Sequence, residues 1–210
     1  MSTSLLPPPS SDAMQDGWCI FANRLSSPNF DARPAGCAPE LLVIHAISLP
    51  LGQFSDFNQH TYIEDLFLNK LDISAHADFE PLNGVRLSAH FLIRRDGSIV
   101  QFVGADQRAW HAGVSNFMGR DRCNDFSIGI ELEGSDYIPF EKEQYVSLIN
   151  LTGTLIQHYP IQHIVGHQDI APGRKTDPGP FFDWTQYQNA LFQHFPLVLA
   201  NATIRFRAVG

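Results

Sequence analysis

Hydrophobic positions take on a regular rhythm only near Glu40. Before that point LLPPPSSD reads as a frayed, proline-rich lead-in, and Asn29–Pro39 (NFDARPAGCAP) as an irregular segment. Leu41–Ala46 (LLVIHA) is almost wholly apolar with β-branched members, which predicts a central strand covered on both faces and ending at His45 and Ala46. After a Pro/Gly turn (SLPLGQF), Tyr62, Ile63, Leu66, Phe67 and Leu71 recur at helical spacing. Val85–Val103 (VRLSAHFLIRRDGSIVQFV) contains two strand-like runs joined around Asp96-Gly97, a dipeptide favoured in tight hairpin turns. Phe126–Gly134 (FSIGIELEG) alternates, with Ile128, Ile130 and Leu132 on one side and Gly129, Glu131 and Glu133 on the other, and predicts a strand with a polar face. Between Glu141 and His158 the residues Tyr145, Leu148, Ile149, Thr152, Leu155 and Ile156 trace one stripe of a long amphipathic helix. HIVGH then returns to strand, with His167 at its end, and TQYQNALFQHF predicts a closing helix.

Strands alternating with helices, plus one hairpin, imply an α/β fold: a single domain with a central mixed β-sheet flanked by α-helices, and no internal repeat. Residues 1–16 are expected to form a flexible lead-in, 17–198 the domain, and 199–210 a C-terminal tail. A chain of 210 residues is long enough to bury a sizeable core in one such domain.

Composition narrows the partners. The 44% hydrophobic and 17% charged fractions are ordinary, while sixteen Phe suggest aromatic packing or a partly apolar groove. A net charge of -8 with scattered Lys and Arg argues against nucleic acid and anionic membranes as partners. No apolar run approaches the length of a bilayer, and the first residues lack both a basic and an apolar signal region, so a cytoplasmic location is expected. Cys19, Cys37 and Cys123 cannot all pair and show no CxxC spacing, so they are read as reduced packing residues.

The candidate chemistry lies in VGHQDIAPGRKTDPGP, Val165–Pro180, where a histidine, a lysine and an aspartate share a loop rich in proline and glycine. His45 ends one predicted buried strand, His167 ends another, and Asp177 follows on the loop. Two neutral imidazoles and one carboxylate are a common catalytic zinc set with an open fourth position, although two core histidines and a turn aspartate would give the same pattern. Pro172, Pro178 and Pro180, with Gly173 and Gly179, restrict and shape a backbone that would hold the carboxylate in place.

VIHAISLP, RLSAHFLIRRDGSIVQFV, RAWHAGVS, RCNDFSIGIELEGSD and GHQDIAPGRKTDPGPFFDW, in that order from about Gly17 to Trp184, resemble the zinc-dependent N-acetylmuramoyl-L-alanine amidases, whose fold is shared with peptidoglycan-recognition proteins. The likeness is greatest to the cytoplasmic AmpD-type 1,6-anhydro-N-acetylmuramyl-L-alanine amidases. It implies one zinc ion bound by His45, His167 and Asp177, with Glu131 as the acid/base residue and Lys175 beside the reacting carbonyl. The implied reaction is hydrolysis of the amide joining the lactyl group of (1,6-anhydro-)N-acetylmuramic acid to L-alanine of the stem peptide. The implied setting is recycling of muropeptides by a monomeric enzyme, which would also lower the inducing signal for β-lactamase in bacteria that use that circuit.

The residue types agree with those roles. Zinc can bring the pKa of water to roughly 7, a carboxylate can carry its proton to the leaving amine, and an ammonium can donate to the oxyanion. Glu133 competes with Glu131 for the acid/base role; the family motif favours the first Glu of IELEG, leaving Glu133 as a solvated or salt-bridged residue. His90, inside a hairpin strand, is read as a hydrogen-bonded core histidine, whereas His111 is a candidate for the groove wall. By resemblance Arg86 would grip an acidic part of the muropeptide, and Trp110 would form an apolar wall unless it is simply packed. Ala46 stands where the family often has Asn, which removes one polar substrate contact, and Ser74–Gly84 also differs from the family. A muropeptide-binding module without catalysis, or an amidase acting on intact cell wall, are the competing readings. A zinc peptidase is disfavoured because no HExxH helix occurs.

Overall fold

The computed structural model describes residues 12–54, 61–196 and 204–207. Most of the proline-rich lead-in and most of the C-terminal tail therefore lie outside the described residues. Within the described residues one sheet has seven strands: β1 (Asn23–Arg24), β2 (Leu41–Ile47), β3 (Phe91–Ile93), β4 (Ile99–Gln101), β5 (Ser127–Glu133), β6 (His163–Gly166) and β7 (Arg205–Phe206). They lie side by side in the order β7-β6-β2-β5-β3-β4-β1. All neighbours run parallel except the β3–β4 hairpin, so the sheet is mixed.

The alternation along β2 divides its side chains between two cores. Leu42 and Ile44 join Ile128, Ile130 and Leu132 beneath the helices α2 (Lys142–His158) and α4 (Trp184–His194). Leu41 and Val43 face the other way, against Ala112, Phe117, Cys123 and Phe126. His45 continues that second series, so strand phase alone places its imidazole on the face opposite α2. A third cluster joins α1 (Tyr62–Phe67) to Leu92, Val100 and Phe102 on the β3–β4 hairpin. The chain opens α1 with a capping box in which Thr61 and Glu64 satisfy each other's backbone N–H groups, and Glu64 also pairs with Arg94 at the hairpin.

Several elements differ from the hydrophobic pattern. α1 stops at Phe67 because Asn69 adopts a left-handed conformation, and Leu71 packs on the cluster from outside the helix. Val85–Ala89 is not strand, and the hairpin is confined to Phe91–Gln101 around the Asp96-Gly97 turn. β5 has no solvated face: all seven residues are buried, and Glu133, read as solvated or salt-bridged, is 1% exposed and accepts the Arg95 backbone N–H. As a parallel strand flanked on both sides, β5 is covered above and below whatever its polarity. His167 does not end a strand but opens α3 (His167–Ile170). Met14–Gln15 pairs with Trp18–Cys19 inside the span read as lead-in, Phe30–Ala32 pairs with Gln107–Ala109, and β7 extends the sheet inside the span read as tail.

Gln144 joins α2 to the sheet. It is fully buried; its Oε1 accepts the Glu141 N–H at 2.9 Å, and its Nε2 donates to the carbonyls of Ile93 at 3.2 Å and Glu133 at 3.0 Å. Gln144→Met keeps the volume but removes three hydrogen bonds to backbone groups, each with a net worth of about 0.5–1.5 kcal/mol. The expected result in urea unfolding is a loss of about 2–4 kcal/mol with an unchanged m-value.

Candidate metal centre

Register brings the site together. In the parallel pairing of β2 with β5, Glu131 lies directly beside His45. In the pairing of β6 with β2, Gly166 lies beside Ile44, so the next residue, His167, emerges next to His45. The three side chains therefore stand at the carboxyl ends of adjacent parallel strands, where open α/β sheets leave a crevice. Asp177 arrives from the loop after α3, and its carbonyl accepts the Gln168 N–H at 2.9 Å.

That loop is tied down at several points. Arg174 and Lys175 N–H groups both reach the Ala171 carbonyl at 3.1 Å. The Arg174 guanidinium donates to the carbonyls of Ala112 at 2.8 Å and Val114 at 2.7 Å. Thr176, between Lys175 and Asp177, donates its hydroxyl to Asp136 at 2.6 Å. Gly179 has a φ of +83°, and a Cβ there would lie 2.3 Å from Asp136 Oδ1, so the loop can close on Asp136 only at a glycine. Sequence reading passed over Arg174, Thr176 and Asp136, although all three sit inside the motifs quoted for the resemblance.

His45 Nδ1, His167 Nδ1 and Asp177 Oδ2 form a triangle with sides of 3.0, 3.1 and 3.2 Å. His167 Nε2 faces the Ala112 carbonyl at 3.2 Å, and a carbonyl only accepts, so the ring proton is there and Nδ1 is bare. Three acceptor atoms thus converge with at most one proton, from His45, to share among them. Ligand atoms of a tetrahedral ion with bonds of ~2.0–2.1 Å lie about 3.3 Å apart, so the triangle has the dimensions of a metal's coordination face. These three residues are the His/Asp group among the described residues able to hold a metal ion.

Glu131 stands beside the triangle. Its Oε1 lies 4.0 Å from His45 Nδ1, and its Oε2 is buried without a partner. Burial, reinforced by the charge of Asp177, pushes its carboxyl well above the usual carboxylate range, with Lys175 opposing. Burial also pulls His45 down to about 4, against its hydrogen bond with Asp177. For Asp177 itself burial works upward, but the neighbouring His167 and His45 rings outweigh it and hold the carboxyl below its ordinary value. A neutral His45 imidazole beside an ionised Asp177 carboxylate is the protonation state that metal ligation requires of these two groups.

A cavity of about 320 Å³ adjoins the triangle, lined by Ala46, Lys175 and Asp177 together with Leu51 and Tyr137, two large side chains left exposed at its edge. Arg86 is exposed and lines a separate groove with Leu66, Asn69 and Leu82. Trp110 is half-buried and lies beside Asp31. His111 lies behind His45, its Nδ1 2.9 Å from His45 Nε2, and is not among the residues lining this cavity. His90 is a core histidine, accepting the Gly129 N–H at 3.1 Å, with its Nε2 3.1 Å from the Gln107 carbonyl.

Residues 35–180 match the family model for N-acetylmuramoyl-L-alanine amidase. The chain is 51% identical over 177 residues to the 1,6-anhydro-N-acetylmuramyl-L-alanine amidase AmpD of Escherichia coli K12, covering 83% of this chain and 94% of that protein. It is 48% identical over 181 residues to AmpD of Haemophilus influenzae, covering 85% and 96%. Its fold matches the crystal structure of a selenomethionine AmpD derivative with a TM-score of 0.79 and 50% identity, over 85% of this chain and 98% of that one. It also matches E. coli AmiD in complex with its substrate anhydro-N-acetylmuramic acid-L-Ala-D-γ-Glu-L-Lys, with a TM-score of 0.53 and 32% identity, over 75% and 60%.

The triangle leads to a direct expectation: one divalent transition-metal ion per chain, measured by elemental analysis after equilibration with free metal and gel filtration. Metal at 100 times its Kd should raise wild-type stability by about 2.7 kcal/mol. Asp177→Ala should lose both the ion and that stabilisation while remaining folded by circular dichroism.

Proposed function

The chain belongs to the N-acetylmuramoyl-L-alanine amidase family, and from that premise we propose a zinc-dependent hydrolysis of the amide between the lactyl group of 1,6-anhydro-N-acetylmuramic acid and L-alanine of the stem peptide. The amidase activity and its anhydro-muropeptide substrate follow the AmpD relatives, which match over most of both chains. The observation that carries the chemistry is the proton-poor triangle of His45, His167 and Asp177 with the unpartnered Glu131 carboxyl beside it.

Two imidazole nitrogens and one carboxylate oxygen suit zinc, with a fourth position left open. When bound, zinc supplies Lewis acidity that brings the pKa of water to roughly 7. Glu131 takes a proton from the attacking water as the water oxygen bonds to the carbonyl carbon, and returns it to the alanine nitrogen as the C–N bond breaks. Burial suits the carboxyl to this, because a raised pKa lets it hold the proton between the two steps. Lys175, exposed at the cavity edge two residues before Asp177, donates to the carbonyl oxygen as negative charge grows there, a contribution of about 3 kcal/mol. Ala46 lines the same cavity and offers the substrate only a methyl group. Arg86, exposed in its separate groove, is assigned to a carboxylate of the peptide, and the half-buried Trp110 to its apolar part.

We read the protein as a cytoplasmic monomer that recycles muropeptides and has no nucleic-acid or membrane partner. The net charge of -8 supports the exclusion of anionic partners. Unpaired Cys19, Cys37 and Cys123 fit a reducing compartment. No helix among the described residues is long and apolar enough to cross a membrane.

The test uses the zinc-loaded protein with an anhydro-muropeptide and, separately, with intact sacculi, following free stem peptide by mass spectrometry. Release from the muropeptide is expected. Glu131→Gln should lower kcat by about 10²–10⁴ with zinc content unchanged, and Lys175→Ala by about 10². No release with zinc present would reassign the protein as a binding module, and preferential release from sacculi would move its substrate to the intact wall.

A further inference from the structure

Zinc ligation at Nδ1 requires His45 to carry its ring proton on Nε2, and Nε2 points away from the cavity into the protein. It meets His111 Nδ1 at 2.9 Å, with the two rings edge to face. The opposite nitrogen of that ring, His111 Nε2, lies 3.1 Å from the Ser127 hydroxyl at the start of β5. With Nε2 of His111 protonated and donating to Ser127, its Nδ1 is left as an acceptor for His45, and the proton order runs outward from the metal face. The reverse order, with Ser127 donating to His111 and His111 to His45, would put a proton on His45 Nδ1 and close the triangle to a cation.

His111 is held in two further ways, one at its backbone and one at its ring. Asn124 Oδ1 accepts the backbone N–H groups of His111 at 3.1 Å and Ala112 at 2.8 Å. A Cβ at Gly129 would lie 2.5 Å from His111 Cγ and Nδ1, so the imidazole occupies a notch that exists only because β5 carries glycine there. Gly129 is two residues before Glu131, on the same face of the strand.

We propose that His111, seated in the Gly129 notch and oriented by Ser127, is a positioning residue that fixes the tautomer and aim of His45 toward the metal. This rests on the proposed zinc site. It assigns His111 a role in metal retention, distinct from contact with substrate, because the ring stands on the far side of His45 from the cavity.

Zinc affinity, measured by competition with a chromophoric chelator, is the primary readout, and outer partners of this kind are worth about 10- to 100-fold in metal affinity. His111→Ala and Gly129→Ala should each weaken zinc by that factor, the second with His111 still present. His111→Gln, whose side-chain carbonyl can accept from His45 Nε2, should recover most of the affinity. In the metal-saturated His111→Ala protein KM should change by less than about twofold, because substrate lies on the other side of His45. Nitrogen-15 NMR of zinc-bound wild type, which needs no variant, should show the proton on Nε2 of both His45 and His111. Wild type that binds no zinc would defeat the zinc site itself. Wild-type zinc affinity in His111→Ala, a raised KM at unchanged affinity, or a proton on His111 Nδ1 would defeat this inference while leaving the zinc site standing.

Discussion

Two imidazole nitrogens and a carboxylate oxygen held within 3.2 Å of one another repel unless a positive charge lies between them. The surrounding structure is organised to impose that approach. A chain free to relax would turn one of the rings, and each ring is denied that freedom by a bond on its far nitrogen: His167 by the Ala112 carbonyl, His45 by His111. Those two bonds, one to a side chain and one to a backbone carbonyl, hold the converging set in place, and a bound cation would offset its repulsion.

The third side of the triangle has a different support. His45 and His167 are set by strand register, but Asp177 sits on a loop ten residues beyond His167 and must be brought back. Arg174 staples the loop to the 112–114 backbone, and Asp136 holds Thr176 from the turn after β5. Lys175 lies between those two anchors, so the residue proposed for the oxyanion is placed by the same bonds that place a proposed metal ligand. One short segment thus carries both proposed roles.

Much of this was legible in the chain because apolar periodicity reports strand and helix existence directly. LLVIHA, FSIGIELEG and the stripe from Tyr145 to Ile156 correspond to β2, β5 and α2, and the mixed sheet with flanking helices was legible too. Alternation says which residues share a side, not whether that side is covered, so it leaves Glu133 open as a solvated or salt-bridged residue, and the burial of β5 on both faces removes the solvated alternative. Helical spacing carried α1 past Phe67 because Leu71 is apolar for a tertiary reason, packing from beyond the helix. The partners of the site were less visible still. Ser127, Asn124 and Asp136 act through one or two hydrogen bonds to segments apart from them in sequence, and a lone polar residue leaves no periodic trace.

Glu131 and His45 are neighbours through the parallel register of β2 and β5, and that register makes the centre a matter of phase. Side chains along a strand repeat every second residue, so one residue inserted before Ile128 would turn an isoleucine toward His45 and send the carboxylate into the apolar layer under α2. Such a change cannot be absorbed locally, because β5 is hydrogen-bonded on both edges. A side chain within β2 can be exchanged without touching this phase, as at Ala46, but a residue added to or lost from either central strand would separate the carboxylate from His45. The centre thus depends on the parity of positions as much as on the identity of the residues.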